Sequence, residues 1–131
     1  MDFISTRIIT ADVARLVGFY EQVTGVRAAW ANEDFAELRT ATGTLAIGGV
    51  RTVALFAPNS ARPAENRSVI VEFLVDDVDA TFKGLPEEAD VVNEPKTMPW
   101  GNRSLLVRDP DGNLVNFFTP VTDAARRRFG R

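Results

Sequence analysis

The chemistry open to this chain lies in a few side chains: Arg7, Glu72, Arg103 and Asn116 among the polar ones, and Trp30, Phe56, Trp100 and Phe118 among the aromatic ones. An arginine offers a planar, permanently charged fork that matches a carboxylate or a phosphate. A carboxylate such as Glu72 becomes a general base if its surroundings raise its pKa. A tryptophan offers an apolar face for stacking on a planar compound, together with an N–H handle. What is missing narrows the field further. The chain has no His and no Cys. That removes the commonest general base, the commonest transition-metal ligand and the thiol nucleophile, and any disulfide with it. No phosphate-binding loop, dinucleotide glycine fingerprint or Ser-His-Asp set is present. Gly48-Gly49 alone signals only a bend or a bulge.

These residues sit in a chain of 131 residues with 45% hydrophobic and 25% charged residues and a net charge of −3. That suits one globular domain or two fused small modules, and gives no general attraction to nucleic acid. No apolar run approaches the length of a membrane span, and Met1-Asp2-Phe3 does not open a secretory leader. The cytoplasm is the default expectation. Arg126-Arg127-Arg128-Phe129-Gly130-Arg131 forms a basic tail. Such a tail suits nucleic acid or an acidic membrane, but at a chain end it is ordinarily just solvated. Neither partner is expected here.

The elements that must position the site residues follow from local patterns. Phe3 to Thr10 reads as a strand; Asp12 caps a helix whose apolar stripe is Val13, Leu16, Val17, Tyr20 and Val23, and Gly25 ends it. Strands are predicted over Arg27–Asn32, Phe35–Thr40, Thr44–Ile47 and Thr52–Ala57, then a linker from Pro58 to Asn66. Val69–Val75 is a strand, Asp76-Asp77 caps a short helix, and Val91-Val92 begins an extended segment. Trp100-Gly101 leads into a strand over Arg103–Arg108. A tight turn, Asp109-Pro110-Asp111-Gly112-Asn113, then opens the strand to Pro120. There Pro110 sets φ, Gly112 takes a positive φ, and Asp109 and Asp111 cap free N–H groups. Leu114, Asn116 and Phe118 fall on one face of that strand, Val115 and Phe117 on the other. The tail from Val121 suggests a helix after Thr122 or Asp123.

The order is β-α-β-β-β twice, an internal repeat. Asp12-Val13 and Asp77-Val78 each open a helix after a strand, and Thr52–Pro58 aligns with Leu114–Pro120 at five of seven pairs. The module boundaries are about 2–58 and 68–120, with a linker at about 59–67 and a tail over 121–131.

The turn followed by an apolar strand and Pro120 resembles the closing strand of the vicinal oxygen chelate superfamily, which holds glyoxalases, extradiol dioxygenases and bleomycin-resistance proteins. Ala11 to Gly25, with its Phe19-Tyr20 pair and late glycine, is similar to that family's first helix. The resemblance covers about residues 2–120. It implies an α+β fold, two βαβββ modules forming a curved mixed-sheet cleft, the glyoxalase/bleomycin-resistance fold. It also implies metal positions at Ser5, Ala54, Ile70 and Asn116, with Ala46 in place of Ala54 if Thr44–Ile47 is the relevant strand. Asn116 stands where the family's enzymes usually have a metal-binding glutamate. Alanine and isoleucine donate no electron pair, and Ser and Asn are weak neutral donors. The expectation is therefore no metal and no cofactor.

Arg7 and Glu72, each two residues past a presumed metal position, are equivalent in the repeat. Either they meet a polar ligand on the cleft floor or they form an ion pair that fixes the modules. Asn116 either faces a ligand or bonds to nearby backbone. A Trp-Gly-x-Arg segment such as Trp100 to Arg103 is common among the superfamily's binding proteins, where it lines the pocket mouth; the other reading packs Trp100 on a helix or a partner subunit. Trp30 serves the ligand, the core or a dimer. Phe56 and Phe118, as repeat mates, form apolar walls or plain core. The expected function is metal-independent sequestration of a small aromatic or amphipathic compound, of the bleomycin-resistance type, by a homodimer with pockets at the subunit junction. The alternatives are a lyase, isomerase or dioxygenase on the same scaffold, using unusual metal ligands or a Glu72 base, and a non-catalytic interaction module.

Overall fold

A computed structural model describes residues 1–131. The chain divides into two units, Met1–Asn66 and Arg67–Arg131.

In the first unit, β1 (Ser5–Thr10) leads through the Asp12 cap into α1 (Val13–Thr24), then β2 (Ala29–Asn32), β3 (Phe35–Arg39), β4 (Thr44–Gly49) and the short helix α2 (Val50–Ala54). Asp12 accepts the Arg15 N–H at 3.1 Å, and Gly25, at φ 72°, donates its N–H to the Glu21 carbonyl at 3.0 Å. The strand order is β1-β4-β3-β2, with β1 parallel to β4 and the other pairs antiparallel. The register sorts the side chains into two faces. Ala36, Leu38, Leu45 and Ile47 point toward α1 and are buried with its Val13, Leu16, Val17 and Tyr20. Each such large side chain contributes about 1.5–3 kcal/mol. The opposite face carries Arg7, Ala46 and Glu37 in one row, and Ile9, Gly48 and Phe35 in the next.

The second unit repeats the plan: β5 (Ile70–Leu74), α3 (Val78–Lys83), β6 (Asp90–Thr97), β7 (Asn102–Arg108), β8 (Leu114–Pro120) and α4 (Asp123–Arg128), in sheet order β5-β8-β7-β6. Asp77 caps α3 as Asp12 caps α1, accepting the Ala80 N–H at 3.0 Å. Val115, Phe117, Leu105 and Val107 are buried on the α3 side, where Phe73 stacks on Phe117 at 5.6 Å. In the turn before β8, Gly112 has φ 81°. Asp109 Oδ1 accepts the N–H groups of Asp111 and Asn113, both at 2.9 Å, and Oδ2 accepts Asn113 Nδ2 at 2.8 Å. Asp111, expected to share the capping, leaves its buried Oδ2 without a partner. The strands at one side of each sheet are broken: β2 has a register shift between Trp30 and Asn32, and β6 has two around Asn93, with Pro95 and Lys96 beyond. The strands at the other side, β1 and β5, pair without interruption.

One expected strand is absent. Thr52–Ala57 is not extended: Val50–Ala54 is helix α2, and β4 ends at Gly49. A Cβ on Gly48 would stand 2.9 Å from Thr52 Oγ1, so only a glycine lets the chain turn back this closely onto the sheet. Thr52 Oγ1 ties the turn by donating to the Gly49 carbonyl at 2.7 Å, and Val53 is buried beneath it. The alignment of Thr52–Pro58 with Leu114–Pro120 is thereby overturned. The true counterpart of β8 is β4, so Ala46, not Ala54, is equivalent to Asn116, and Gly48, not Phe56, is equivalent to Phe118. The tail forms α4 as expected, with Thr122 as its cap.

Candidate functional site

In each unit the first and last strands run parallel side by side, and their central residues share the face opposite the first helix. In the second unit these residues are Glu72 and Asn116, in direct register. Asn116 Nδ2 donates to Glu72 Oε2 at 2.7 Å, a short, charge-assisted bond. The other end of the amide is open: Asn116 Oδ1 is buried and has no hydrogen-bond partner. Leaving such an acceptor unmet costs about 1–3 kcal/mol in a folded protein, so this oxygen is able to accept an N–H or O–H donor. Asn116 is thus tied to a side chain rather than to backbone, which overturns the backbone-bonded reading, and its acceptor oxygen is unspent.

In the first unit the same register position pairs Arg7 with Ala46. Arg7 is exposed, and its guanidinium carbon lies over the Phe35 ring at 5.1 Å and the Phe56 ring at 5.2 Å. Phe35 was not anticipated from the sequence. Phe56 reaches this face from the end of α2 rather than from a strand, and is 75% exposed. Glu37, two strands from Arg7 in the same row, is bonded instead to Arg39 at 2.8 Å.

The remaining expected site residues lie elsewhere or, in the case of Phe118, are covered. Trp30 is in register with Ala36, which places it on the α1 side of its sheet, away from Arg7's face. Arg103 is in register with Thr119 on the α3 side of the second sheet, away from Asn116's face. Its fork is already filled: Nε and Nη2 each donate to the Asp79 carboxylate at 2.8 Å. Trp100 lies in the β6–β7 turn and is 65% exposed. Phe118 shares the face of Asn116 but is only 7% exposed, covered by Phe129 from the end of α4 at 5.2 Å. Of the basic tail, Arg126 approaches Asp123 at 3.7 Å and Arg128 lies over Phe129 at 5.3 Å. Its arginines also suit the negative end of α4. A cavity of about 280 Å³ opens beside this helix, lined in part by Asp76, Pro120, Arg126 and Arg131.

The Arg103–Asp79 pair has a measurable signature. The hydrogen bonds from Arg103 hold the Asp79 carboxyl below the usual aspartate value, and Asp79 in turn raises Arg103. A lowered carboxyl pKa contributes stability that is complete above the ordinary aspartate range and fades as pH falls through the folded value. In an Arg103→Met variant the Asp79 titration, followed by carboxyl-carbon NMR, is expected to move up toward the ordinary value, and this part of the acid sensitivity to disappear.

The resemblance implies a metal in the enzymes of that fold, and the donors present do not fit one. No group of three or more His, Cys, Asp or Glu side chains is gathered where it could hold an ion. At the register positions of the second unit Glu72 is the one anionic donor, and its Oε2 already accepts the Asn116 amide; in the first unit Arg7 and Ala46 offer none, and Glu37 beside Ala46 is bonded to Arg39.

Comparison with known proteins agrees with this architecture. The model of the Glyoxalase/Bleomycin resistance protein/Dioxygenase superfamily matches residues 3–117. A crystal structure of a protein of unknown function from Agrobacterium tumefaciens superposes with a TM-score of 0.79 at 23% identity, over 91% of this chain and 94% of its own. A glyoxalase/bleomycin resistance protein/dioxygenase from Nocardioides gives 0.74 at 19% identity, over 94% and 85%. TioX from Micromonospora sp. ML1 gives 0.67 at 26% identity, over 92% of this chain and all of its own (100%). No curated protein matches the sequence. No helix is long and apolar enough to cross a membrane.

Proposed function

Because the chain belongs to the glyoxalase/bleomycin resistance protein/dioxygenase superfamily, we propose that it binds a small aromatic or amphipathic compound without a metal and sequesters it. The observation that carries this reading is the buried, unpartnered Asn116 Oδ1 beside Glu72. A carboxylate and an amide oxygen, fixed side by side on adjacent strands, together accept hydrogen bonds from a donor-bearing compound. A glutamate at position 116 would instead have set a second carboxylate beside Glu72. The protein is further proposed to act as a cytoplasmic homodimer, which light scattering on the purified protein would check.

The expected result of an Asn116→Leu substitution has two opposite signs. The free protein keeps or gains stability, by up to about 1–3 kcal/mol, because an unmet buried amide is replaced by an apolar group. Binding falls, by roughly tenfold or more for the loss of one good hydrogen-bonding group. A thermal-shift screen of planar aromatic compounds on the wild type supplies the ligand, since a compound that binds only the folded state raises the melting temperature. If the leucine variant shows the same shifts as the wild type, the reading fails. A stoichiometric metal that survives dialysis would favour the enzyme alternative.

A further inference from the structure

The face of the first unit that carries Arg7 has features that the Glu72–Asn116 reading does not use. Arg7 is an exposed cation with no carboxylate within ion-pair distance in its unit. Its surroundings keep it so. Glu37, the acidic residue in the same cross-strand row, is held by Arg39, and Asp34 lies 3.4 Å from Arg51. The position directly beside Arg7 on β4 is Ala46, which offers no polar group. What holds the guanidinium is a pair of aromatic rings, Phe35 and Phe56. A cation–π contact fixes a cation through the ring quadrupole and consumes none of its N–H donors. Arg7 is therefore oriented without being satisfied, whereas Arg103 has spent its fork on Asp79.

We infer that Arg7, flanked by Phe35 and Phe56, is a binding site for an aromatic carboxylate. The carboxylate takes the bidentate edge of the guanidinium, and the ligand's ring lies against the exposed surface of Phe56. This goes beyond the reading above and stands on the first unit alone. A carboxylate is favoured over a phosphate because Arg7 is the one cation set between these two rings, while Arg39 and Arg51 of the same unit are engaged by Glu37 and Asp34; a dianion is better met by a cluster of positive groups.

The test is an NMR titration of the full chain with benzoate, benzamide and phenyl phosphate, following the Arg7 Nε–Hε resonance and the Phe56 ring. Benzoate is expected to shift both saturably, and to bind roughly tenfold or more tightly than its neutral isostere benzamide, because only the carboxylate makes charge-assisted bonds. Arg7→Gln should abolish the benzoate response while leaving the backbone spectrum of the first sheet in place. Arg7→Lys, which keeps the charge and loses the fork, should retain a weakened response. Equal binding of benzoate and benzamide, tighter binding of phenyl phosphate, a benzoate response that survives Arg7→Gln, or no response at all would each overturn the inference. None of these outcomes bears on Asn116→Leu, so the two proposals fail separately.

Discussion

A Gly101→Ala variant is expected to lose about 3–5 kcal/mol of stability, more than any other single methyl addition at a glycine of this chain. Gly101 closes the turn between β6 and β7 at φ 93°, a conformation that an L-residue adopts only under strain. A Cβ there would overlap Thr122 Oγ1 outright and stand 3.1 Å from Ala125 Cβ. Neither neighbour is free to retreat. Thr122 Oγ1 caps α4 by accepting the Ala125 N–H at 3.2 Å, and Ala125 is buried. The Gly101 carbonyl also accepts the N–H groups of Val121 and Thr122, at 2.9 and 3.3 Å. One methyl group would thus strain a turn and dislodge a helix cap together. Thermal melting should show a fall of roughly 10–20 °C. The control is Gly18→Ala, in α1, where an added Cβ meets nothing within 4 Å. It should gain up to about 1 kcal/mol from helix propensity. A Gly101→Ala protein that melted with the wild type would mean that α4 does not pack as described.

An Asp109→Ala variant is expected to lose about 2–4 kcal/mol, because three N–H groups in a closed turn lose their acceptor together. Asp109 and Asn113 are nearly inaccessible, 4% and 3% exposed, so water replaces the carboxylate poorly. Asp109→Asn keeps one acceptor oxygen and should cost less. Urea unfolding gives the energies. Hydrogen exchange gives the location, since the Asp111 and Asn113 amides should lose protection ahead of the core strands. If those amides stayed protected, the side chain would not be what holds this turn.

Where the sequence was legible, the cause was local. Asp12 and Asp77 announced their helices because capping uses atoms only three residues away. The turn from Asp109 to Asn113 was legible for the same reason, as was the alternation that puts Leu114, Asn116 and Phe118 on one face. The equivalence of Arg7 and Glu72 followed from their equal distances to those two aspartates, and the register in each sheet places them alike. Where the reading went astray, the deciding contact came from afar or parity was broken. Thr52 to Ala57 is rich in apolar and β-branched residues and has a strand's composition. It is bent into α2 because Gly48, earlier in the chain, leaves room for Thr52. Trp30 is on the helix side through its register with Ala36 on β3, and the shift before Asn32 breaks the alternation beyond it. Arg103 looked available because Asp79 is 24 positions away, and nothing in the local pattern joins them. Phe35 was missed beside Arg7 because the pairing of β3 with β4, and of β4 with β1, has no signature within either residue's neighbourhood.

The uneven strands at the two sides of each sheet have a consequence for how the chain behaves in a crowded solution. An outermost strand offers unpaired backbone groups to any passing chain, and interruptions, prolines and lysines blunt that offer. β2 and β6 carry such interruptions, and β6 adds Pro95 and Lys96; β1 and β5 are regular and contain neither residue. Uncontrolled aggregation of a partly unfolded chain would therefore begin at β1 or β5. The charges of Arg7 and Glu72, each at the centre of one of these strands, are what stands against it.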